Sequence, residues 1–384
     1  MVKPLPQTLL NKLKERREAS ALRSFPEPSS KIDYYSNDYL NFATNPQIQY
    51  LAKELLEKHV IKSGATGSRL LSGNHDLYNQ VEEQIARFHK TPKALVFNSG
   101  YSANIGFFGS VPQRGDIVFY DEFIHASIRD GLKMSLSKNY SFKHNDVEDL
   151  RKKAERITEK HNGQVYVVTE SVFSMDGDSP DLVSLAAFCA ATDFLLVVDE
   201  AHALGVLGYQ GAGLVRKLGL ENQVFAQIMT YGKALGCHGA AILCCEDLYI
   251  YLVNFARSLI YTTALPPHAL ASIAAGYMHL ERLPSSLLQD QLTKNIVHFN
   301  KEVERLALRK FIALSNSAIQ CCVLSGSENV KAVSVILKNY GYEVKPILSP
   351  TVPLGQERLR FCLHSDNTPK QITEILEIVV NTIP

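Results

Sequence analysis

The sequence lacks an excess of either charge. Its 384 residues include 40 lysines and arginines and 39 aspartates and glutamates, so the formal net charge is +1. Proteins that bind nucleic acid or anionic membranes generally carry a basic surplus that neutralises phosphate groups. The balance therefore predicts neither nucleic acid nor a membrane as an obligate partner.

Long apolar runs are also missing. The longest, residues 182–198, is interrupted by Thr192 and Asp193, so we expect a helix that leads into a strand and no membrane span. The opening segment MVKPLPQTLLNKLKERREAS is charged and lacks the apolar core of a signal peptide. Seven cysteines without CxxC spacing favour free, mostly buried thiols in a reducing compartment, and no metal site is predicted. Together these features predict a cytoplasmic protein.

Two nucleotide-binding signatures are absent as well. The glycine-containing stretch KSGATGSR at residues 62–69 does not end in the Gly-Lys-Ser or Gly-Lys-Thr of a Walker loop, so its glycines allow close approach of another ligand or of a partner chain. A nicotinamide dehydrogenase needs a G-x-G-x-x-G turn after its first strand, and none is present. The length, 46% hydrophobic content and 21% charged content are those of a protein with a large core and two domains.

What the sequence does contain is a pair of buried strands that end in polar residues. The apolar run at residues 194–198 stops at Asp199, and the short run at residues 227–229 is followed by Thr230 and Lys233. Because ligand sites form at the carboxyl ends of parallel strands, we expect a carboxylate and an amine at one edge of a sheet. The alternative for Lys233 is an ordinary solvated lysine.

An amine and a carboxylate are the groups that a pyridoxal phosphate enzyme requires. The amine binds the cofactor covalently, and the carboxylate keeps the pyridine nitrogen protonated. The Asp-x-x-His of Asp199 and His202, upstream of the Thr-x-Gly-Lys of Thr230 and Lys233, resembles the cofactor site of fold type I pyridoxal phosphate enzymes. The resemblance implies that Lys233 carries the cofactor, Asp199 pairs with the ring nitrogen, His202 contacts the ring hydroxyl and Thr230 reaches the phosphate.

Two earlier strand ends supply further candidates. The predicted strand at residues 93–99 is followed by Gly100 and Tyr101, whose backbone amides open a helix and can bind phosphate. The predicted strand at residues 116–122 precedes His125, which either caps a helix or lies flat on the pyridine ring.

Other polar residues have two possible interpretations, since they could stabilise a turn or take part in a functional site. Asn37 lies in a turn-rich stretch, and Ser174 lies in the loop after a strand predicted at residues 164–170. Thr262 and Thr263 precede two prolines, where they could reach the phosphate of a neighbouring subunit.

The remaining segments predict an amino-terminal arm and a carboxyl-terminal layer. Residues 6–23 have the pattern of a helical docking arm. Arg358 and Arg360 share one face of a predicted strand, where a guanidinium fork suits a substrate carboxylate; the alternative is a solvated edge strand. The carboxyl-terminal elements predict an α+β layer of strand 318–324, helix 327–340, strand 342–347, strand 358–364 and helix 368–382.

Ten motifs in order, spread over essentially the whole chain, resemble the α-oxoamine synthase family. They are SNDYL, SGYSAN, HAS, HND, TESVFSMDGD, VDEAH, TYGKALG, FARSLIYTTALPP, SNSAIQ and PTVPLGQERLRF. This family joins an amino acid to an acyl thioester with loss of carbon dioxide. The resemblance implies an α/β fold with a mostly parallel seven-stranded sheet flanked by helices. It also implies an arm at residues 1–44, a large domain at 45–280 and a small α+β domain at 281–384.

The same resemblance assigns roles to individual positions, and it implies a homodimer. Gly100 and Tyr101 hold the phosphate, His125 stacks on the ring, and Ser174, His202 and Thr230 make polar cofactor contacts. The implied substrate residues are Arg23 facing the acyl substrate, Asn37 near the amino acid, Thr351 lining the substrate side and Arg360 binding the carboxylate.

Within the family, FARSLIYTTALPP and SNSAIQ look most similar to one branch. That branch condenses L-alanine with a pimeloyl thioester, carried by coenzyme A or an acyl carrier protein, in biotin biosynthesis. Sister synthases that use glycine or serine are the alternative, and Lys233 argues against a non-catalytic partner subunit. Cys237 and His238 stand where relatives often have small residues, and no role is predicted for them.

Overall fold

A computed structural model describes residues 3–27, 29–59, 62–158, 161–282 and 286–383. The chain forms two compact units. The large unit comprises Asn37–Ser174 and Asp178–Gln291, and the small unit comprises the residues up to Ser36, Met175–Gly177 and the residues from Leu292 onward. The predicted division into an arm at residues 1–44 and domains at residues 45–280 and 281–384 remains a prediction.

The strands within the described ranges are, in chain order, β1 (Ile32–Asp33), β2 (Lys93–Phe97), β3 (Ile117–Asp121), β4 (Lys138–Phe142), β5 (Val165–Glu170), β6 (Leu195–Asp199), β7 (Ala226–Thr230), β8 (Ala240–Cys244), β9 (Ile319–Val323), β10 (Tyr342–Glu343), β11 (Lys345–Ile347) and β12 (Arg358–Cys362).

The α-helices of the same ranges are α1 (Gln7–Glu18), α2 (Pro46–Glu57), α3 (Asp76–His89), α4 (Gly100–Phe108), α5 (Ala126–Met134), α6 (Val147–Thr158), α7 (Leu182–Thr192), α8 (Leu214–Leu218), α9 (Glu246–Phe255), α10 (Arg257–Ile260), α11 (Pro267–Arg282), α12 (Ser286–Arg305), α13 (Ser327–Asn339) and α14 (Pro369–Thr382). None of them combines the length and apolarity that crossing a bilayer requires.

A seven-stranded sheet forms the centre of the large unit. Its order is β2-β8-β7-β6-β5-β3-β4, and only β8 runs antiparallel to its neighbours. All residues of β5 and β8 are buried, which explains why the central strands appear in the sequence as near-continuous apolar runs. The predicted fold, a mostly parallel seven-stranded sheet flanked by helices, is confirmed.

The parallel strands bring their polar ends to one edge of this sheet. Glu170 at the end of β5 pairs in register with Asp199 at the end of β6, and Asp199 pairs with Ile228 of β7. The loop that follows β7 turns sharply at Gly236, whose φ is +61°. A side chain there would overlap the backbone of Ala43, so glycine is required at this turn.

The small unit contains a three-stranded antiparallel sheet, β11-β12-β9, and a parallel pair, β1-β10. The single strand predicted at residues 342–347 is wrong. The chain changes partners at Val344, so that β10 pairs with β1 while β11 pairs with β12.

The helix predicted at residues 6–23 is longer than the one observed. Helix α1 ends at Glu18 because Ser20 adopts a left-handed conformation with φ of +49°. The amide of Ala21 then closes the helix end by donating to the carbonyl of Arg16 at 2.8 Å.

Candidate active site

Asp199 is a buried carboxylate at the end of β6, with 4% of its surface exposed. Its Oδ1 accepts a hydrogen bond from the amide of Ala201 at 3.0 Å, and its Oδ2 accepts from Nδ2 of Asn104 at 2.9 Å. Two N–H donors stabilise an anion that is otherwise costly to remove from water. The sheet edge therefore places a carboxyl group, held by two N–H donors, at the predicted position.

Lys233 is half-buried in the loop after β7, close to two ionisable groups of the same edge. Burial lowers the pKa of His125; the Asp199 carboxylate opposes this change and the Lys233 ammonium adds to it. Burial raises the pKa of Glu170 to about 8, with Asp199 adding to the rise and Lys233 opposing it. The amine and the carboxylate thus act on the same two neighbours, as the strand-end argument predicts.

His125 caps helix α5. Its Nδ1 accepts from the amide of Ser127 at 3.3 Å and lies 2.7 Å from the Ser127 hydroxyl. Its own amide donates to Oε1 of Glu170 at 2.5 Å. The capping role considered from the sequence is therefore present, and stacking of the imidazole on a pyridine ring remains a prediction.

The start of helix α4 forms a cradle with the end of β7. Ser99 caps the helix by accepting the amide of Ser102 at 3.1 Å, while Gly100 and Tyr101 occupy the first turn, whose amides have no carbonyl partner within a helix. A Cβ on Gly100 would overlap Oγ1 of Thr230, so the glycine lets the helix start approach this hydroxyl. Amides and a hydroxyl in this arrangement fit a phosphate group. The exposed side chain of Tyr101 points elsewhere, with its hydroxyl donating to Asp130 at 3.0 Å.

Tyr39 links a cofactor candidate to a substrate candidate. Its hydroxyl lies 2.7 Å from Nδ1 of His202 and donates to Oδ1 of Asn37 at 3.1 Å. The structure thus brings His202 and Asn37 to either side of one buried phenol.

Two further groups of predicted residues lie beside these elements. Nδ2 of Asn98, which precedes the Gly100 turn, is 3.3 Å from Oγ1 of Thr262 and donates to the carbonyl of Thr263 at 2.8 Å. Ser174 is half-buried in the loop after β5. That loop begins at Ser171, whose amide donates to the Asp199 carbonyl at 2.9 Å.

His144, from the HND motif, joins two of the loops that carry site residues. Its ring nitrogens lie 2.9 Å from Asp121 and 2.8 Å from Asp178, and its ring stacks on Phe123 with centroids 4.4 Å apart. Burial disfavours the charged ring, but the hydrogen bonds to Asp121 and Asp178 outweigh it and raise the pKa of His144 to about 10. A protonated His144 therefore holds the end of β3, four residues before His125, against the loop that carries Ser174.

The two arginines of the small unit lie in β12, and both are buried. The edge-strand alternative is wrong, because β12 is the central strand of its sheet. Arg358 forms an ion pair with Asp176 and donates to the carbonyl of Met175 at 3.2 Å. Arg360 lies opposite Cys321 in the register and donates to Sγ of Cys362 at 3.1 Å.

Arg23, predicted to face the acyl substrate, and Thr351, predicted to line the substrate side, are neighbours within the small unit. Nη2 of Arg23 is 3.5 Å from Oγ1 of Thr351, and both residues are exposed. Their roles toward a substrate remain predictions.

Four residues near the predicted site had not been singled out from the sequence: Tyr39, Asn104, Ser127 and Glu170. Glu170 could have been found, because it ends a buried strand just as Asp199 does. Asn104 and Ser127 lie inside helices, where nothing in the local pattern separates a core polar residue from a site residue. All seven cysteines are free thiols, and five of them are buried.

Comparisons with known proteins identify the family of the chain. The aminotransferase class I and II family model matches residues 29–379. The 8-amino-7-oxononanoate synthase of Emericella nidulans is 40% identical over 92% of this chain and 89% of its own length.

Solved structures agree as well. That of 8-amino-7-oxononanoate synthase from Francisella tularensis superposes with a TM-score of 0.76 at 31% identity, covering 92% of this chain and 97% of the other. A serine palmitoyltransferase from S. paucimobilis with a bound PLP–myriocin aldimine superposes with a TM-score of 0.88 at 26% identity, covering 98% and 96% of the two chains. The chain therefore belongs to the aminotransferase class I and II family and, within it, to the 8-amino-7-oxononanoate synthase group of the α-oxoamine synthases.

Proposed function

We propose that this protein condenses L-alanine with a pimeloyl thioester, releasing carbon dioxide and the thiol and yielding 8-amino-7-oxononanoate for biotin biosynthesis. The observation that carries the proposal is that Lys233, in the loop after β7, and Asp199, at the end of β6, both act on His125 and Glu170. The chain is also 40% identical to an 8-amino-7-oxononanoate synthase.

The residues at this edge fit pyridoxal 5'-phosphate. Asp199 is a buried anion fixed by two donors, suited to keeping a ring nitrogen protonated. Lys233 supplies the amine for covalent attachment, and the amides of the Gly100 turn with Thr230 supply donors for the phosphate. His125, Ser174 and His202 complete the proposed contacts, and Thr262 and Thr263 are assigned to the phosphate of a neighbouring subunit. When bound, the cofactor supplies an electron sink for the pair left at the α-carbon.

The chemical work of the chain itself is proton transfer and positioning. Arg360 binds the carboxylate of L-alanine by a bidentate contact, and Asn37 lies near the amino acid. Once the amine of L-alanine has taken its place, the freed Lys233 amine would remove the α-proton, as a base held close to the reacting carbon can. A carbon–carbon bond then forms to the thioester carbonyl and the thiol leaves. The carboxylate departs as carbon dioxide, and a proton returns to the same carbon. Arg23 and Thr351 contact the acyl substrate.

A homodimer in the cytoplasm is part of the proposal. Leu71 and Tyr261 of the large unit are large side chains that expose 81% and 73% of their surfaces. Large exposed apolar and aromatic groups are typical of subunit contacts.

A second candidate is a sister synthase that uses glycine or serine, such as 2-amino-3-ketobutyrate ligase, 5-aminolevulinate synthase or serine palmitoyltransferase. The TM-score of 0.88 with a serine palmitoyltransferase favours this alternative at the level of the fold. The curated relatives at 35–40% identity favour alanine.

The test is a panel of substrates with the purified holoenzyme. L-alanine, glycine and L-serine are each combined with pimeloyl-coenzyme A, pimeloyl-acyl carrier protein and palmitoyl-coenzyme A, and thiol release and product mass are measured. We expect turnover with L-alanine and one or both pimeloyl thioesters. Lys233→Ala serves as the control and is expected to lose both turnover and the visible absorption of the bound cofactor. Turnover only with glycine or serine would refute the alanine assignment.

A further inference from the structure

A buried chain of hydrogen bonds connects Asp199 to His125 through two residues that have no assigned role. Asn104 and Ser127 are 2% and 0% exposed. An ionised carboxylate only accepts hydrogen bonds, so the group of Asn104 that lies 2.9 Å from Asp199 is its amide nitrogen. The second hydrogen of the same nitrogen is directed at Oγ of Ser127, 3.0 Å away.

The direction of these two hydrogen bonds determines the direction of the bond between Ser127 and His125. Because Oγ of Ser127 accepts from Asn104, its own hydrogen is available for Nδ1 of His125 at 2.7 Å. The backbone amide of Ser127 points at the same nitrogen from 3.3 Å. Two donors converge on Nδ1, and this nitrogen is therefore an acceptor. A neutral imidazole with an acceptor at Nδ1 carries its proton on Nε2.

We propose that Asn104 and Ser127 are positioning residues that transmit the hydrogen-bond direction set by the Asp199 carboxylate to His125, fixing its imidazole as the neutral Nε2–H tautomer. The exposed side of the ring then presents an N–H donor and not a lone pair. The value of this donor for catalysis rests on the proposed function, since it assumes that His125 lies beside the cofactor and substrate.

The charged groups around His125 are consistent with a neutral ring. Burial disfavours the cation most, and Lys233 after β7 adds to this, while Asp199 of β6 and Asp130 of α5 favour the cation; the net effect lowers the pKa of His125. Glu170 of β5 contacts the backbone amide of His125 and not its ring.

The tautomer can be read directly by NMR of the holoenzyme with ¹⁵N-labelled histidine, with the His125 signals assigned by their loss in His125→Gln. We expect the wild-type protein to show a protonated Nε2 and an unprotonated Nδ1 at neutral pH. Ser127→Ala removes the hydroxyl that donates to His125, and Asn104→Ala removes the amide that donates to Ser127. Each variant should therefore populate the Nδ1–H tautomer and raise the apparent pKa of His125 by about one pH unit. Ser110→Ala is the matched control, because it removes a half-buried hydroxyl bonded to the Gly106 carbonyl at the far end of α4.

The outcomes separate this proposal from the proposed function. An Nδ1–H or cationic His125 in the wild-type protein overturns the relay, and this holds even where a variant fails to fold. The relay is also overturned if both variants fold and their His125 nitrogens keep the wild-type chemical shifts and the wild-type pKa. A protein that shows the Nε2–H tautomer but does not turn over L-alanine refutes the proposed function and leaves the relay standing.

Discussion

At the residue scale, the site depends on keeping one buried carboxylate charged. Asp199 accepts one hydrogen bond on each oxygen, from the backbone amide of Ala201 and the side-chain amide of Asn104. The two hydrogen bonds therefore fix the orientation of the carboxylate, as pairing with a protonated ring nitrogen requires.

Asp199→Asn tests this charge with almost no change in shape. We expect the variant to retain the cofactor while kcat falls at least about a hundredfold, because an uncharged partner no longer keeps the ring nitrogen protonated. Cofactor content by absorbance and kcat with L-alanine are measured. Asp116→Asn is the control, since that buried carboxylate accepts from the amides of Gln113 and Gln164 at the opposite end of β3. Comparable rates for Asp199→Asn and wild type contradict the assignment.

Glu170 is a second buried carboxyl group at the same edge, and its surroundings favour the protonated form. Burial, followed by repulsion from Asp199, raises its pKa from 4.5 to about 8. A raised pKa means that the folded state binds the proton more tightly than the unfolded state does. Its contribution to stability is therefore full below pH 4.5 and is lost as the pH rises toward 8.

Glu170→Gln removes this titration and keeps an oxygen for the His125 amide. We expect the free energy of unfolding of the variant, relative to that of the wild type, to rise by roughly 3 kcal/mol between pH 5 and 8. Urea unfolding across this pH range measures the gain. Glu170→Ala, which also removes the acceptor for His125, should be less stable than Glu170→Gln at every pH. Parallel pH profiles for wild type and Glu170→Gln would show that Glu170 is ionised in the folded protein.

At the element scale, the site is an assembly of strand ends held in place by polar contacts between loops. His144 is one such contact, since it joins the end of β3 to the loop after β5 through two carboxylates. Its pKa of about 10 lies above the ordinary value of 6.5, so the protonated ring stabilises the folded state. This contribution is complete below pH 6.5 and is lost as the pH approaches 10.

His144→Gln should therefore destabilise the protein in a pH-dependent way. We expect a loss of roughly 3 kcal/mol in the free energy of unfolding near pH 6, falling toward zero by pH 10. Because the loops carry Ser174 and His125, affinity for the cofactor should fall as well. Denaturant unfolding and cofactor titration at several pH values measure both effects, and His268→Gln on the exposed side of α11 is the control. A destabilisation that is the same at pH 6 and pH 10 would contradict a charged His144.

At the scale of the whole molecule, the proposed homodimer would make each active site a joint product of two chains. Thr262 and Thr263 are the residues assigned to the neighbouring subunit's phosphate. This assignment predicts that two different inactive chains can restore activity to one another, provided that the heterodimer collects both defects in one site and leaves the other site intact.

Mixing Lys233→Ala with the double variant Thr262→Ala and Thr263→Ala tests the prediction. A heterodimer would place both defects in one site and leave the other intact, so about a quarter of wild-type activity is expected after random reassortment. Lys233→Ala mixed with Asp199→Asn is the control, because each site then retains one defect and no recovery is expected. Absence of recovery in mixtures whose heterodimers are confirmed by mass would mean that the threonines serve their own chain.

The extent of the sequence prediction differs between elements for physical reasons. Strands β5 and β6 were predictable because burial on both faces leaves a continuous apolar run that ends in a carboxylate. The break at Val344 was not, since a change of strand partner leaves no trace in local hydrophobicity. The early end of α1 depends on the left-handed backbone of Ser20, a conformation that the sequence does not require of a serine.

The sequence alone determined the large sheet, the polar residues at its strand ends and the family, because periodic burial and ordered motifs are local properties of the chain. Only the tertiary structure showed that Asn104 connects Asp199 to Ser127 and that His144 joins Asp121 to Asp178. These contacts connect residues between 23 and 95 positions apart in the sequence. Their partners are set by the packing of helices and loops at the sheet edge, and local sequence patterns do not record which buried polar groups will meet there.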